Sequence, residues 1–217
     1  MDSDSPLIVV VACFAGDNAA PSELVSALPA DCAVSLVFVE QPSTVRASVL
    51  AEALVTRTAL PVISAREGLV VEQGLIYVIP ESSGLTMTRG RIHALPAPRK
   101  IDCLADSVFV SLAQDCGDKA IGVILSGGGS DRALGIRAIR RAGGTTFAQY
   151  PGSARFPNLP ISAIDTGCVD FVLRLNEIAY ELARISRHRD EALRGAYKHV
   201  QITKLGPILT APVRLTL

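Results

Sequence analysis

The stretch Leu125 to Gly135, LSGGGSDRALG, sets three consecutive glycines and an acid, Asp131, between an apolar run, AIGVIL, and a helical pattern, RALGIRAIRRA. Glycine-rich loops between a strand and a helix often hold phosphate, because the first amides of the helix point at the ligand. A P-loop needs Lys and Ser/Thr after its last glycine, but Gly129 is followed by Ser130, Asp131 and Arg132. The dinucleotide pattern G-x-G-x-x-G fits Gly127 and Gly129 and fails at Arg132. A carboxylate aimed into an anion cradle would also repel its ligand. Two other roles stay open: glycines that supply positive φ in a turn with Asp131 capping the next helix, or an Asp131 displayed for chemistry. Ser126 and Ser130 flank the loop, yet a serine without a base is only a turn residue. The five cysteines, at 13, 32, 103, 116 and 168, form no C-x-x-C pair. None has a histidine at metal-ligand spacing, since His93, His188 and His199 lie elsewhere. No metal and no cofactor is expected.

The elements that must position such a loop follow from the pattern around it. Short β-branched runs, LIVVVA, AVSLVFV, PVIS, LIYVIP, AIGVIL, TTFAQ and DFVLRL, are nearly continuous in apolar residues. Strands covered on both faces read this way. Helical patterns lie between most of them, and Gly143-Gly144 marks a helix stop. The expected fold is therefore α/β: a doubly wound, mainly parallel sheet with helices on both faces. LTMTRGRIHAL adds an antiparallel β-hairpin near 85–95 with its turn at Arg89-Gly90. NEIAYELARISRHRDEALRGAYKHV reads as a long amphipathic helix. Residues 1–200 are expected to form one domain. Residues 201–217 form an apolar, proline-broken tail that packs on the domain, pairs with a partner or joins a further domain.

Composition narrows the partners. Of 217 residues 49% are hydrophobic and 19% charged, which suits a globular core and excludes a disordered chain. Lys plus Arg total 21 and Asp plus Glu total 21, so bulk charge selects neither nucleic acid nor an anionic membrane. The start, MDSDSPLIVVVACFAGD, lacks the basic region of a signal peptide, and its apolar run is too short to span a bilayer. With an odd number of cysteines, the expectation is a cytoplasmic protein with reduced thiols and no membrane insertion.

The segment from Ile124 to Ala179 resembles the second half of the CheB family, the bacterial chemotaxis receptor methylesterases and glutamine deamidases. Ser126-Gly127-Gly128-Gly129-Ser130-Asp131 matches the family's T-G-M-G-x-D loop. Ala142-Gly143-Gly144, Ala148-Gln149 and Asn158-Leu159-Pro160 follow in the family's order and spacing. Upstream, GLVVEQGLIYVIP and PRKIDCLADSVFVSLA resemble family segments too, so the likeness covers about residues 7–180. It implies the methylesterase CheB C-terminal domain-like fold, and it makes Asp131 the third member of a Ser-His-Asp triad, whose task is to orient the histidine.

The other two triad positions depart from the family. Its I-G-A-S-T-G-G corresponds to Val11-Ala12-Cys13-Phe14-Ala15-Gly16-Asp17, with Phe14 at the serine. Its V-Q-H corresponds to Val39-Glu40-Gln41, with Gln41 at the histidine. Phenylalanine carries no nucleophilic atom, and glutamine takes no proton at neutral pH. Asp17 replaces a glycine near the place of the oxyanion, where a second negative charge is opposed. Arg132 replaces the glycine after Asp131 and can pair with it, and Gly128 stands where the family has methionine.

Removing nucleophile and base from such a triad costs about six decades of rate. The resemblance therefore implies a methylesterase-like domain that has lost hydrolysis and acts in chemotaxis-type signalling, with a chemoreceptor-like or other signalling protein as partner. Two alternatives remain. One is an active esterase or deamidase with an unconventional nucleophile, for which Cys13 is the candidate. The other is a small-molecule sensor using the cleft lined by Phe14, Gln41, Asp131 and Arg132. Active relatives carry a receiver domain ahead of the esterase or are fused to a methyltransferase. Here the sequence opens on the first strand, so phosphorylation control is not expected within it.

Overall fold

The computed structural model describes residues 6–14, 17–41, 49–79, 84–95, 104–128 and 133–204. Seven of its strands form one sheet: β1 (Leu7–Phe14), β2 (Val34–Gln41), β3 (Val62–Ser64), β4 (Ile76–Val78), β7 (Ile121–Ile124), β8 (Thr145–Gln149) and β9 (Phe171–Leu173). Their order is β3-β4-β2-β1-β7-β8-β9, and every neighbouring pair is parallel. Each of the seven apolar runs supplies one of these strands.

Strand β1 shows why the runs are continuous. Leu7, Val9, Val11 and Cys13 enter one core, and Ile8, Val10 and Ala12 enter the other. With period-2 side chains and helices on both sides, no position is left for a polar residue. Helices α1 (Ala19–Ser26), α2 (Leu50–Val55) and α6 (Leu175–Lys204) cover the first face, and α3 (Leu104–Cys116), α4 (Ala133–Arg141) and α5 (Asn158–Asp165) the second. α6 continues four residues past 200, the expected domain boundary, and the tail 205–217 lies outside the described residues.

The hairpin forms from β5 (Gly84–Thr88) and β6 (Arg91–Leu95), antiparallel and paired as a sheet of its own. Leu85, Met87 and Ile92 bury it in the second core beside α3. Its turn holds the one non-glycine residue with positive φ among those described, Arg89 at 54°. A carboxylate on α3 holds this turn: Asp115 accepts the amides of Arg89 and Gly90, one on each oxygen. Asp115→Ala leaves two partly buried amides without partners. It is expected to cost about 2 kcal/mol of unfolding free energy in a denaturant titration.

The strand order fixes where a ligand site can form. From β1 the chain proceeds to β2 on one side and returns to β7 on the other. At such a switch the loops leaving β1 and β7 part in opposite directions and open a crevice at the carboxyl ends of the strands.

Candidate functional site

Phe14 ends β1 and stands in register with Gln41, the last residue of β2. The two positions thus face each other across one strand spacing, about 4.8 Å. Backbone pairing alone brings together the two residues that the sequence resemblance implies for the family's serine and histidine positions. β7 flanks β1 on its other side, with Ala12 opposite Ile124 and the Leu125 amide donating to the Ala12 carbonyl at 2.9 Å. The glycine loop therefore starts beside the end of β1. Gly129 to Arg132 lie outside the described residues, and so does the expectation that Asp131 caps α4 or meets positions 14 and 41.

Phe14 is half-buried and its ring meets Phe156 edge-on, with centroids 5.5 Å apart. The Arg155 guanidinium lies over the Phe156 ring at 5.3 Å. Sequence reasoning did not single out Phe156. Its signal is position alone, just before the Asn158-Leu159-Pro160 match, and nothing local in the sequence ties it to β1.

Cys13, one residue earlier, points to the opposite face of the sheet. It is 1% exposed and belongs to the core shared with α1 and α6. Its thiol donates to the Val39 carbonyl at 3.9 Å. Of the other thiols, Cys116 is pushed up to about 11, by burial first and by the Asp115 carboxylate second, so it stays protonated at neutral pH. His93 sits on β6 with Nδ1 3.2 Å from Glu67 Oε1, and His188 is exposed on α6. Among the described residues no three His, Cys, Asp or Glu side chains group to hold a metal.

The start of the glycine loop, Ser126 and Gly127, is held by Gln149, Phe156 and Leu159. The Ser126 amide donates to Gln149 Oε1 at 2.8 Å, and Ser126 Oγ accepts the Phe156 amide at 3.0 Å. The Gly127 amide donates to the Phe156 carbonyl and the Gly127 carbonyl accepts the Leu159 amide. Gln149 Nε2 donates onward to the Ser153 carbonyl at 3.2 Å. Ser126 is thus buried and committed to structure. The turn reading of the glycines needs one correction: like Gly128, Gly127 is not among the residues with positive φ. It is a glycine because Leu159 packs against it. A Cβ there would stand 2.6 Å from Leu159 Cδ2 and 3.0 Å from Leu159 Cβ. The first turn of α4 has a cap from another helix, since Asp106 Oδ1 of α3 accepts the Gly135 amide at 2.9 Å.

Asp17 follows β1 by one tight turn, its amide bonded to the Phe14 carbonyl at 3.0 Å. The residue is 2% exposed, and neither carboxylate oxygen has a hydrogen-bond partner among the described residues. It precedes α1, whose N-cap Asn18 makes no side-chain cap. A buried carboxylate without donors is a destabilising feature, because burial removes water and nothing replaces it. Asp17→Ala is expected to raise the unfolding free energy by about 1–3 kcal/mol, read as a later denaturant midpoint at unchanged slope. An unchanged or earlier midpoint would show that the carboxylate has a partner in solution.

The family profile described as CheB methylesterase matches residues 9–182. A protein-glutamate methylesterase/protein-glutamine glutaminase 3 of Paramagnetospirillum magneticum is 34% identical over 182 residues, covering 82% of this chain and 51% of that protein. A protein-glutamate methylesterase/protein-glutamine glutaminase 1 of Myxococcus xanthus is 32% identical over 192 residues, covering 86% and 56%. The crystal structure of the Thermotoga maritima CheB methylesterase catalytic domain superposes with a TM-score of 0.75 at 26% identity, covering 84% of this chain and 99% of that one. The chain spans about half the length of these curated relatives and nearly all of the solved catalytic domain. The chain belongs to the CheB methylesterase family.

Proposed function

We propose that this is a CheB-like domain that no longer hydrolyses esters and serves chemotaxis-type signalling by binding a chemoreceptor-like or other signalling protein. One observation carries the reading: Phe14, at the family's serine position, ends β1 in register with Gln41, at the family's histidine position, and packs its ring on Phe156. Neither side chain supplies a nucleophile or a base. The relatives named protein-glutamate methylesterase support a glutamyl-bearing protein as the partner class. Asp17 supports the same reading, since a buried carboxylate beside the end of β1 opposes the negative charge of a tetrahedral intermediate.

The alternative nucleophile has less support. Cys13 faces the α1 and α6 side of the sheet with its thiol donated to a carbonyl, while Phe14 faces the α5 side with Phe156. A direct test incubates the protein with methyl-esterified chemoreceptor and measures methanol release. The expected result is the uncatalysed rate for the natural chain and for Asp131→Ala alike, with receptor retained in a binding assay. Turnover abolished by Cys13→Ala would overturn the proposal and move the nucleophile to Cys13.

A further inference from the structure

The helices on the first face of the sheet stop short of its edge. Phe171 of the edge strand β9 stacks on Phe147 of the first core at 5.2 Å, so its ring lies on the side that α1, α2 and α6 cover. It nonetheless stays 42% exposed. Leu173 packs on the same core, and beside it a cleft of about 490 Å³ opens along α6, lined by Leu173, Asn176, Glu177, Tyr180 and Glu181. The Tyr180 residue is 62% exposed. A further helix laid beside α6 would cover these rings.

The charges on α6 decide which helix fits. Glu177, Tyr180, Arg184 and Arg187 are all exposed. They are spaced by three, four and three residues, so they form one stripe with the spacing of a helix-pair seam. From the N-terminal end the stripe reads acid, phenol, base, base. A stripe that changes sign along its length complements an antiparallel copy of itself. With the crossing between Tyr180 and Arg184, Glu177 of each copy faces Arg187 of the other, and Tyr180 faces Arg184. A parallel pair would set Glu177 against Glu177 and Arg187 against Arg187, which is repulsive. Arg184 is already held along its own helix, with Nη2 2.7 Å from Glu181 Oε2. A guanidinium bonded through its edge still has its face for an aromatic ring.

We propose that α6 docks antiparallel on α6 of a second copy, Glu177 pairing with Arg187 and Tyr180 with Arg184 in both directions across a two-fold axis. Such a contact uses the same patch on both copies and closes the assembly. From Leu175 to His188 the stripe runs about 20 Å, so the interface is small and the dimer weak, with a Kd of about 1–100 µM. The inference stands whether or not the domain hydrolyses esters.

The test is analytical ultracentrifugation of the full chain up to about 500 µM, where a dimer of this affinity is populated. Arg187→Glu sets like charges at both ends of the interface and is expected to weaken association roughly tenfold or more with unchanged far-UV dichroism. Tyr180→Ala is expected to weaken it to a similar extent. Glu177→Arg should do the same, although it also removes the bond from the Arg174 amide to Glu177 Oε2. An equal mixture of the Arg187→Glu and Glu177→Arg chains should regain association, because the mixed dimer has opposite charges at both contacts. A natural chain that stays monomeric, or association unaffected by Arg187→Glu or by Tyr180→Ala, would overturn the proposal. So would a mixture that associates no better than its components.

Discussion

Phe14→Ser with Gln41→His and Asp17→Gly is expected to hydrolyse methyl-esterified chemoreceptor about 10²–10³ times faster than the double variant that keeps Asp17. The serine would stand at the end of β1 and the histidine one strand spacing away, positions that the β1–β2 register already sets opposite each other. The start of the glycine loop, Ser126 and Gly127, is bonded to Gln149, Phe156 and Leu159, and none of the three substitutions removes those bonds. What the double variant lacks is tolerance for an oxyanion, because Asp17 keeps a buried carboxylate one tight turn away. Losing nucleophile and base together costs about six decades in a serine hydrolase, so the triple variant has a large range in which to register. Ester cleavage is followed as methanol released per enzyme. Equal rates with and without Asp17→Gly would remove Asp17 from the account, and Asp131→Ala should abolish whatever activity the triple variant gains.

The second large effect concerns the Gly143-Gly144 pair. Gly144→Ala is expected to lower stability by about 3 kcal/mol, a fall of roughly 6–12 °C in Tm for a domain of this size. A Cβ at 144 would stand 2.4 Å from the Ala120 carbonyl oxygen and 2.9 Å from Ile139 Cγ2. The oxygen is backbone and accepts the Thr145 amide beside the β7–β8 ladder, so it cannot swing aside as a side chain would. Gly143→Ala should cost only about 1–2 kcal/mol. Gly143 is needed for its φ of +83°, and the nearest atom to a Cβ there is an ordinary 3.5 Å away. Differential scanning calorimetry of both variants separates the two reasons. Equal losses would mean that the approach to Ala120 relaxes at little cost.

These glycines show where sequence reasoning reaches and where it stops. A pair ending a helical pattern is legible as a stop, because capping is local and needs a left-handed residue. That its second member is pressed against Ala120, the residue ahead of β7 and twenty-four positions earlier, is a tertiary fact with no local mark. The strands were legible for the same reason: burial on both faces demands apolar runs, and β1 fills two cores by alternate residues. The hairpin was legible from Arg89-Gly90, but Asp115, which holds that turn from α3, was not. At the site, the resemblance implies nucleophile and base positions for Phe14 and Gln41, and the β1–β2 register sets the two residues opposite each other. Phe156 and the isolation of the Asp17 carboxylate were invisible, since each depends on what surrounds the side chain rather than on its neighbours in sequence.

The Gln149 amide bridges Ser126 on one side and Ser153 on the other, and the bonds of that brace use no atom of residues 14, 17 or 41. Folding and chemistry in this crevice therefore answer to different residues. Exchanging those side chains leaves every bond of the brace in place, although Phe14 touches it through the ring of Phe156. Selection for stability guards the brace and is indifferent to the nucleophile, so the crevice can be assigned new ligands at little structural risk.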